Sequence, residues 1–332
     1  MRHKLQIGEM KANYLTDKDI WGCFNYIFSP RSKNSTTYKF VLIKSIIENL
    51  YNVNAQLELG YGQLFSSFAK IYWNLVIHHD FNQINVIGKK SEVQNILLDV
   101  QTKYSIPNTV VFDKLSSELQ LYIILKVKKR CKLNVMGAIY GDTNGTIYDF
   151  DNKKEYLILN GSFYSFMQQF QRVLTYLTNY HLAMFLEKYN DQGDTTNLLL
   201  KVENVSRRSS LAQFYQLLES YFNRNCFYCG KAIKKKDGVH VDHFIPWSFV
   251  QADQLWNLVL SCRVCNLSKS DRLTDNIYLN ALIDRNDKLQ TISSLQMRKD
   301  MQIYTSNKLK QLYQFTIDNG YTDIWRPQKL VN

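Results

Sequence analysis

Two cysteine pairs, Cys226-Phe-Tyr-Cys229 and Cys262-Arg-Val-Cys265, each offer two thiolates at the spacing of a zinc knuckle. Four thiolates fill a tetrahedral coordination sphere and leave no position for substrate, so the ion they suit is a structural zinc whose binding energy is folding energy. Between the pairs lies Val239-His-Val-Asp-His-Phe-Ile-Pro-Trp247, whose alternation reads as a strand sending Asp242 and His243 to opposite faces. Leu255-Trp-Asn-Leu-Val-Leu-Ser261 reads as a second strand entering the second knuckle, and Asn266-Leu-Ser-Lys269-Ser-Asp271 opens a helix. Strand, strand and helix together make a ββα unit.

At these residues the chain resembles the HNH, or ββα-metal, nucleases: Asp242-His243, then Asn257, then Cys262-Arg-Val-Cys-Asn-Leu-Ser-Lys269 stand in the family's order. The stretch from Asp242 to Leu273 is also similar to the HNH domain of RNA-guided CRISPR nucleases, which have Asn at the third motif position and commonly lack the knuckles. The resemblance implies that His243 is the general base, a task suited to an imidazole with an unperturbed pKa of roughly 6.5. It implies that Asp242 is the metal-binding carboxylate and that Asn257 braces the loop and helps orient the histidine. Asn266 stands where many members have a second, histidine ligand. Its amide oxygen favours magnesium or manganese over a catalytic zinc.

The implied chemistry is one-metal phosphodiester hydrolysis leaving 5′-phosphate and 3′-hydroxyl ends, with His243, Asn257 and Asn266 as the catalytic set. Lys269 and Arg263, with the run Lys234, Lys235 and Lys236, are candidates for phosphate contact. His240, two residues before Asp242, reads as mainly structural, with an extra ligand as the alternative.

The elements that must position this site read as α+β. A mainly helical domain is expected over 1–195, with apolar stripes at Phe40, Ile43, Ile47 and Leu50 and at Leu64, Phe68, Ile71 and Leu75. Further helical stretches run from about Leu115 to Arg130 and from Phe163 to Lys188. Val135 to Leu159 reads as short strands turning at Asp142-Thr-Asn-Gly145, and Gly60-Tyr-Gly62 as a turn. The polar run Tyr189 to Thr196 marks the boundary. The HNH domain then occupies 196–332 around a motif core at 226–272, led in by a helix over Ser209 to Phe222 and backed by helices from Ile277 to Asn319, with Gly320 as a stop.

The 332 residues carry 41 basic and 29 acidic side chains, a net +12 that favours a polyanionic partner, DNA above all. The amino terminus lacks a secretory pattern and no segment suits a membrane span, so a cytoplasmic protein without membrane contact is expected. Restriction or anti-phage defence in a bacterium is the expected setting, with a defence partner protein and homo-oligomers both compatible with the sequence. Two alternatives stay open: a non-catalytic, zinc-dependent module that binds nucleic acid or protein, and an HNH nuclease directed at RNA.

Overall fold

In the computed structural model the chain divides into two units, Met1–Arg207 and Arg208–Asn332. The structure describes residues 5–86, 88–191, 197–206, 211–234, 238–292, 297 and 301–327. Helices dominate and the sheets are small, an α+β architecture. The division comes after 195 because the helix Leu198–Asn204 buries Leu198 and Val202 in the first unit, where Asn74 Nδ2 donates to the Val205 carbonyl at 2.7 Å.

The first unit contains β1 (Ile7–Gly8), α1 (Asp17–Phe28), α2 (Tyr38–Glu48), β2 (Glu58–Gly60), α3 (Tyr61–Trp73), α4 (Glu92–Lys103) and α5 (Ser117–Asp142). It continues with β3 (Tyr148–Asp151), β4 (Tyr156–Leu159), α6 (Gly161–Gln169), α7 (Gln171–Lys188) and α8 (Leu198–Asn204). Helix α2 is buried from Phe40 to Glu48 and packs against α3 and α7, as expected of a helix apolar on every side. The two charged residues of that buried stretch pair with each other, Lys44 Nζ lying 3.3 Å from Glu48 Oε1. Four antiparallel strands in the order β1-β3-β4-β2 form one small sheet. Thr16 and Ser91 open α1 and α4 with reciprocal capping boxes.

Three local expectations change. Helix α5 continues to Asp142, so the strands begin only at Tyr148; Val135, Met136 and Ile139 fall on its buried side, and that packing outweighs the β-branched character of Val135 and Ile139. Asp142-Thr-Asn-Gly145 ends this helix rather than turning a hairpin: Gly145 adopts φ +68 and donates its N–H to the Tyr140 carbonyl at 2.7 Å. The hairpin turns at 152–155, where Asp151 Oδ1 accepts the N–H groups of Lys153 and Lys154. Gly60-Tyr-Gly62 is a strand-to-helix junction, with β2 ending at Gly60 and α3 starting at Tyr61.

The second unit runs α9 (Ala212–Tyr221), β5 (Val239–His243), α10 (Trp247–Val250), β6 (Leu258–Cys262), α11 (Arg263–Lys269), β7 (Leu273–Thr274), α12 (Asn276–Gln290), α13 (Ser306–Asp318) and β8 (Ile324–Trp325). Strands β5 and β6 pair antiparallel with Asp242 opposite Val259 and His243 opposite Leu258, and α11 packs on both. Strands β7 and β8 pair in parallel, tying the end of the chain to the segment after α11. Gly320 follows α13 at φ +93 and donates to the Ile317 carbonyl.

Candidate active site and metal centre

The four knuckle sulfurs come together within 4.8 Å of one another. Cys229 Sγ and Cys262 Sγ are 4.0 Å apart, close to the ~3.8 Å edge of a tetrahedron with 2.3 Å zinc–sulfur bonds and twice the length of a disulfide. Burial pushes the Cys226 and Cys265 thiols up, whereas hydrogen bonds led by the Cys265 N–H overcome burial at Cys262 and hold it below the usual thiol range. Four converging sulfurs, two of them on buried residues, fit a soft divalent cation, and these four residues would hold it. Among the described residues this is the one group of three or more Cys, His, Asp or Glu placed to share a metal ion.

Strand β5 ends in the reactive pair. Asp242 is 8% exposed; its Oδ2 accepts from the Tyr228 hydroxyl at 2.5 Å and forms an ion pair with the Lys269 ammonium at 3.1 Å. Tyr228 stands between the two cysteines of the first knuckle, boxed by the rings of Phe227, Tyr278 and Trp325. Burial first, and then the Asp242 carboxylate, push its hydroxyl far above the ordinary phenol range, so it stays a donor. His243 is 2% exposed, and its Nε2 lies 2.8 Å from Oδ1 of Asp253 in the loop after α10.

Asn257 holds the backbone just beyond His243. Its carboxamide accepts from the Ile245 N–H at 2.8 Å and donates to the Ile245 carbonyl at 3.0 Å, and its own carbonyl accepts from Phe244 N–H. Asn257 is in turn bracketed by α12. Arg285 donates to the carbonyls of Leu255, Trp256 and Leu258, and Asn286 Nδ2 donates to that of Trp256 at 2.8 Å. The α12 residues thus fix the segment that fixes the end of β5.

Lys269 is not the surface phosphate contact expected of it. It is 1% exposed; its Nζ donates to the His243 carbonyl at 2.7 Å and pairs with Asp242. The reason is helical phase: α11 lies against β5, and the last-turn lysine falls on the inward side. Asn266, one turn earlier, shares that side; it is half-buried, and its carboxamide makes no hydrogen bond among the described residues. Arg263 and Lys234 are exposed, and His240 is half-buried on β5 opposite Ser261. Lys235 and Lys236 lie outside the described residues.

Three residues of this site escape a reading of motifs. Tyr228 carries one signal, its place inside the first knuckle. Asp253 and Arg285 carry none, since their roles come from long-range contacts of a polar loop and a distant helix.

A family model described as HNH endonuclease matches residues 226–274. An HNH endonuclease domain therefore occupies that segment, together with a four-cysteine cluster able to bind a metal ion, and this supports nuclease activity on a nucleic acid. No curated protein and no solved structure matches the chain. No helix among the described residues is long and apolar enough to cross a membrane.

Proposed function

We propose that the protein is a metal-dependent endonuclease that hydrolyses phosphodiester bonds in DNA, working in bacterial restriction or anti-phage defence as a subunit of a larger complex. The observation that carries the nuclease reading is the end of β5, where Asp242 and His243 stand side by side within the segment that matches the HNH family. DNA as substrate and the defence setting rest on the resemblance and on the net charge of +12.

In this reading the cysteines hold zinc for structure, and a magnesium or manganese ion binds Asp242 with Asn266. One carboxylate oxygen engaged by a hydroxyl and an ammonium, and one amide without a hydrogen bond, fit a hard ion that keeps several of its waters. When bound, that ion supplies charge neutralisation at the scissile phosphate and the departing 3′-oxygen. His243 takes a proton from the attacking water. When the imidazole donates its Nε2 proton to Asp253, Nδ1 is the basic nitrogen. Asp253 then orients the imidazole and stabilises the imidazolium as it forms. Asn257 keeps Phe244 and Ile245 in place so that His243 is presented at a constant angle, while Arg263 and Lys234 lie exposed for contact with the phosphate backbone.

The test is cleavage of duplex DNA, single-stranded DNA and RNA of equal length, with magnesium or manganese, by wild type and His243→Ala. The expected result is duplex DNA cut by wild type and left intact by the variant, with DNA binding retained. Full activity in His243→Ala removes the base assignment, and preferential cutting of RNA moves the substrate class.

A further inference from the structure

The first unit contains a cleft of about 800 Å³, within the size range of small-ligand sites, that the nuclease reading does not use. One wall is the segment 31–36 leading into α2, the other is the start of α4, and the floor is a face of α5 where Asn134, Ala138 and Gly141 leave room by their small size. Its walls are pinned. The Thr37 N–H donates to the Gln83 carbonyl, Asn85 N–H to that of Ser35, and Asn34 Nδ2 to that of Ile27. Ser32 Oγ and Lys39 Nζ both reach Asp142 at 2.6 Å.

Five cations line this space, Arg31, Lys33, Lys39, Lys90 and Arg130, against two carboxylates, Glu92 and Asp142. Lys39 pairs with Asp142 and Arg130 with Glu92, which uses both acids. Arg31, Lys33 and Lys90 have no ion-pair partner among the described residues, and all three are exposed. Like charges gathered in a concave surface concentrate an anion-attracting potential.

Tyr26 and Tyr38 also line the cleft, and Tyr26 is half-buried there. A nucleobase offers a flat face to an aromatic ring, and a chain of phosphates offers the charge. We infer that this cleft binds a nucleoside polyphosphate: Arg31, Lys33 and Lys90 take the phosphates and Tyr26 takes the face of the base.

The test is calorimetric titration of the full chain with ATP, GTP, CTP, inorganic triphosphate and a short single-stranded oligonucleotide, without divalent metal so that the nuclease centre is silent. The expected result is saturable binding of at least one nucleoside triphosphate. Replacing Lys33 and Lys90 together by Glu should weaken it about tenfold or more. Lys18→Glu with Lys129→Glu, the same change of charge on exposed positions outside the cleft, should leave it unchanged. Tyr26→Ala should weaken the nucleoside triphosphate and leave inorganic triphosphate alone, with a thermal melt to establish that each variant is folded. The inference is overturned by absence of saturable binding, by equal weakening in cleft and control variants, or by binding of the oligonucleotide alone.

Discussion

Nε2 of His243 lies 2.8 Å from Oδ1 of Asp253, joining the last residue of a strand to a loop ten positions further on. A carboxylate there either tunes the base or occupies it, and the two roles give opposite results. As a tuning partner, Asp253→Ala should lower the single-turnover cleavage rate by about 10²-fold or more while DNA affinity holds. A faster rate in the variant would show that the contact keeps His243 out of action.

Zinc removal should act on the fold before it acts on chemistry. Cys229→Ser or Cys265→Ser opens the four-sulfur cluster, and the second unit should melt about 10 °C lower or more, with zinc lost in elemental analysis. Wild-type protein free of zinc, or a variant with an unchanged melt, would assign the cysteines another task.

Asn266 distinguishes metal ligand from bystander. Asn266→Ala should abolish most cleavage at little cost to stability, and Asn266→His should restore some activity with preference moved from magnesium toward manganese, cobalt or nickel. Rates in Asn266→Ala equal to wild type at saturating magnesium would place the second ligand elsewhere, with His240 the first to examine.

The Lys269–Asp242 pair is buried on both sides, 3.1 Å apart. Lys269→Met keeps the stem and removes the charge, leaving a buried carboxylate with no cation, and should cost about 3–5 kcal/mol in denaturant unfolding. Asp242→Asn in the same chain should recover part of that loss, since the pair does not contribute additively. A loss below about 0.5 kcal/mol, the scale of surface substitutions, would mean that the pair is effectively solvated.

Acid should weaken the first unit through His79. Burial, and then His78 and Lys201, pull its imidazole down to about 4, while the unfolded chain protonates it near ~6.5. The unfolded state therefore binds the extra proton between those values. The stability due to neutral His79 is complete above pH ~6.5 and is lost as pH falls toward 4. His79→Gln should flatten the acid side of the unit's melting curve; an unchanged slope would leave the carboxylates as its cause.

What the sequence determined by itself is the chemistry that local spacing encodes. Two C-x-x-C pairs define a zinc ligand set wherever the chain brings them together, and the alternation from Val239 to His243 defines a strand that ends in the Asp-His pair. Helix periodicity likewise located α2, α3 and the α12–α13 region, because burial of one side repeats every three or four residues. Tertiary structure decided what periodicity cannot carry. Val135 to Ile139 joined a long helix because its apolar side met the core of the first unit, and Gly60 became a junction because β2 found β4. Lys269 turned inward because α11 packs on β5, so a residue with the look of a phosphate contact became the partner of Asp242. Asp253 and Tyr228 entered the site through one hydrogen bond each and Arg285 through three, contacts that depend on where loops and helices come to rest and leave no repeating trace in the chain.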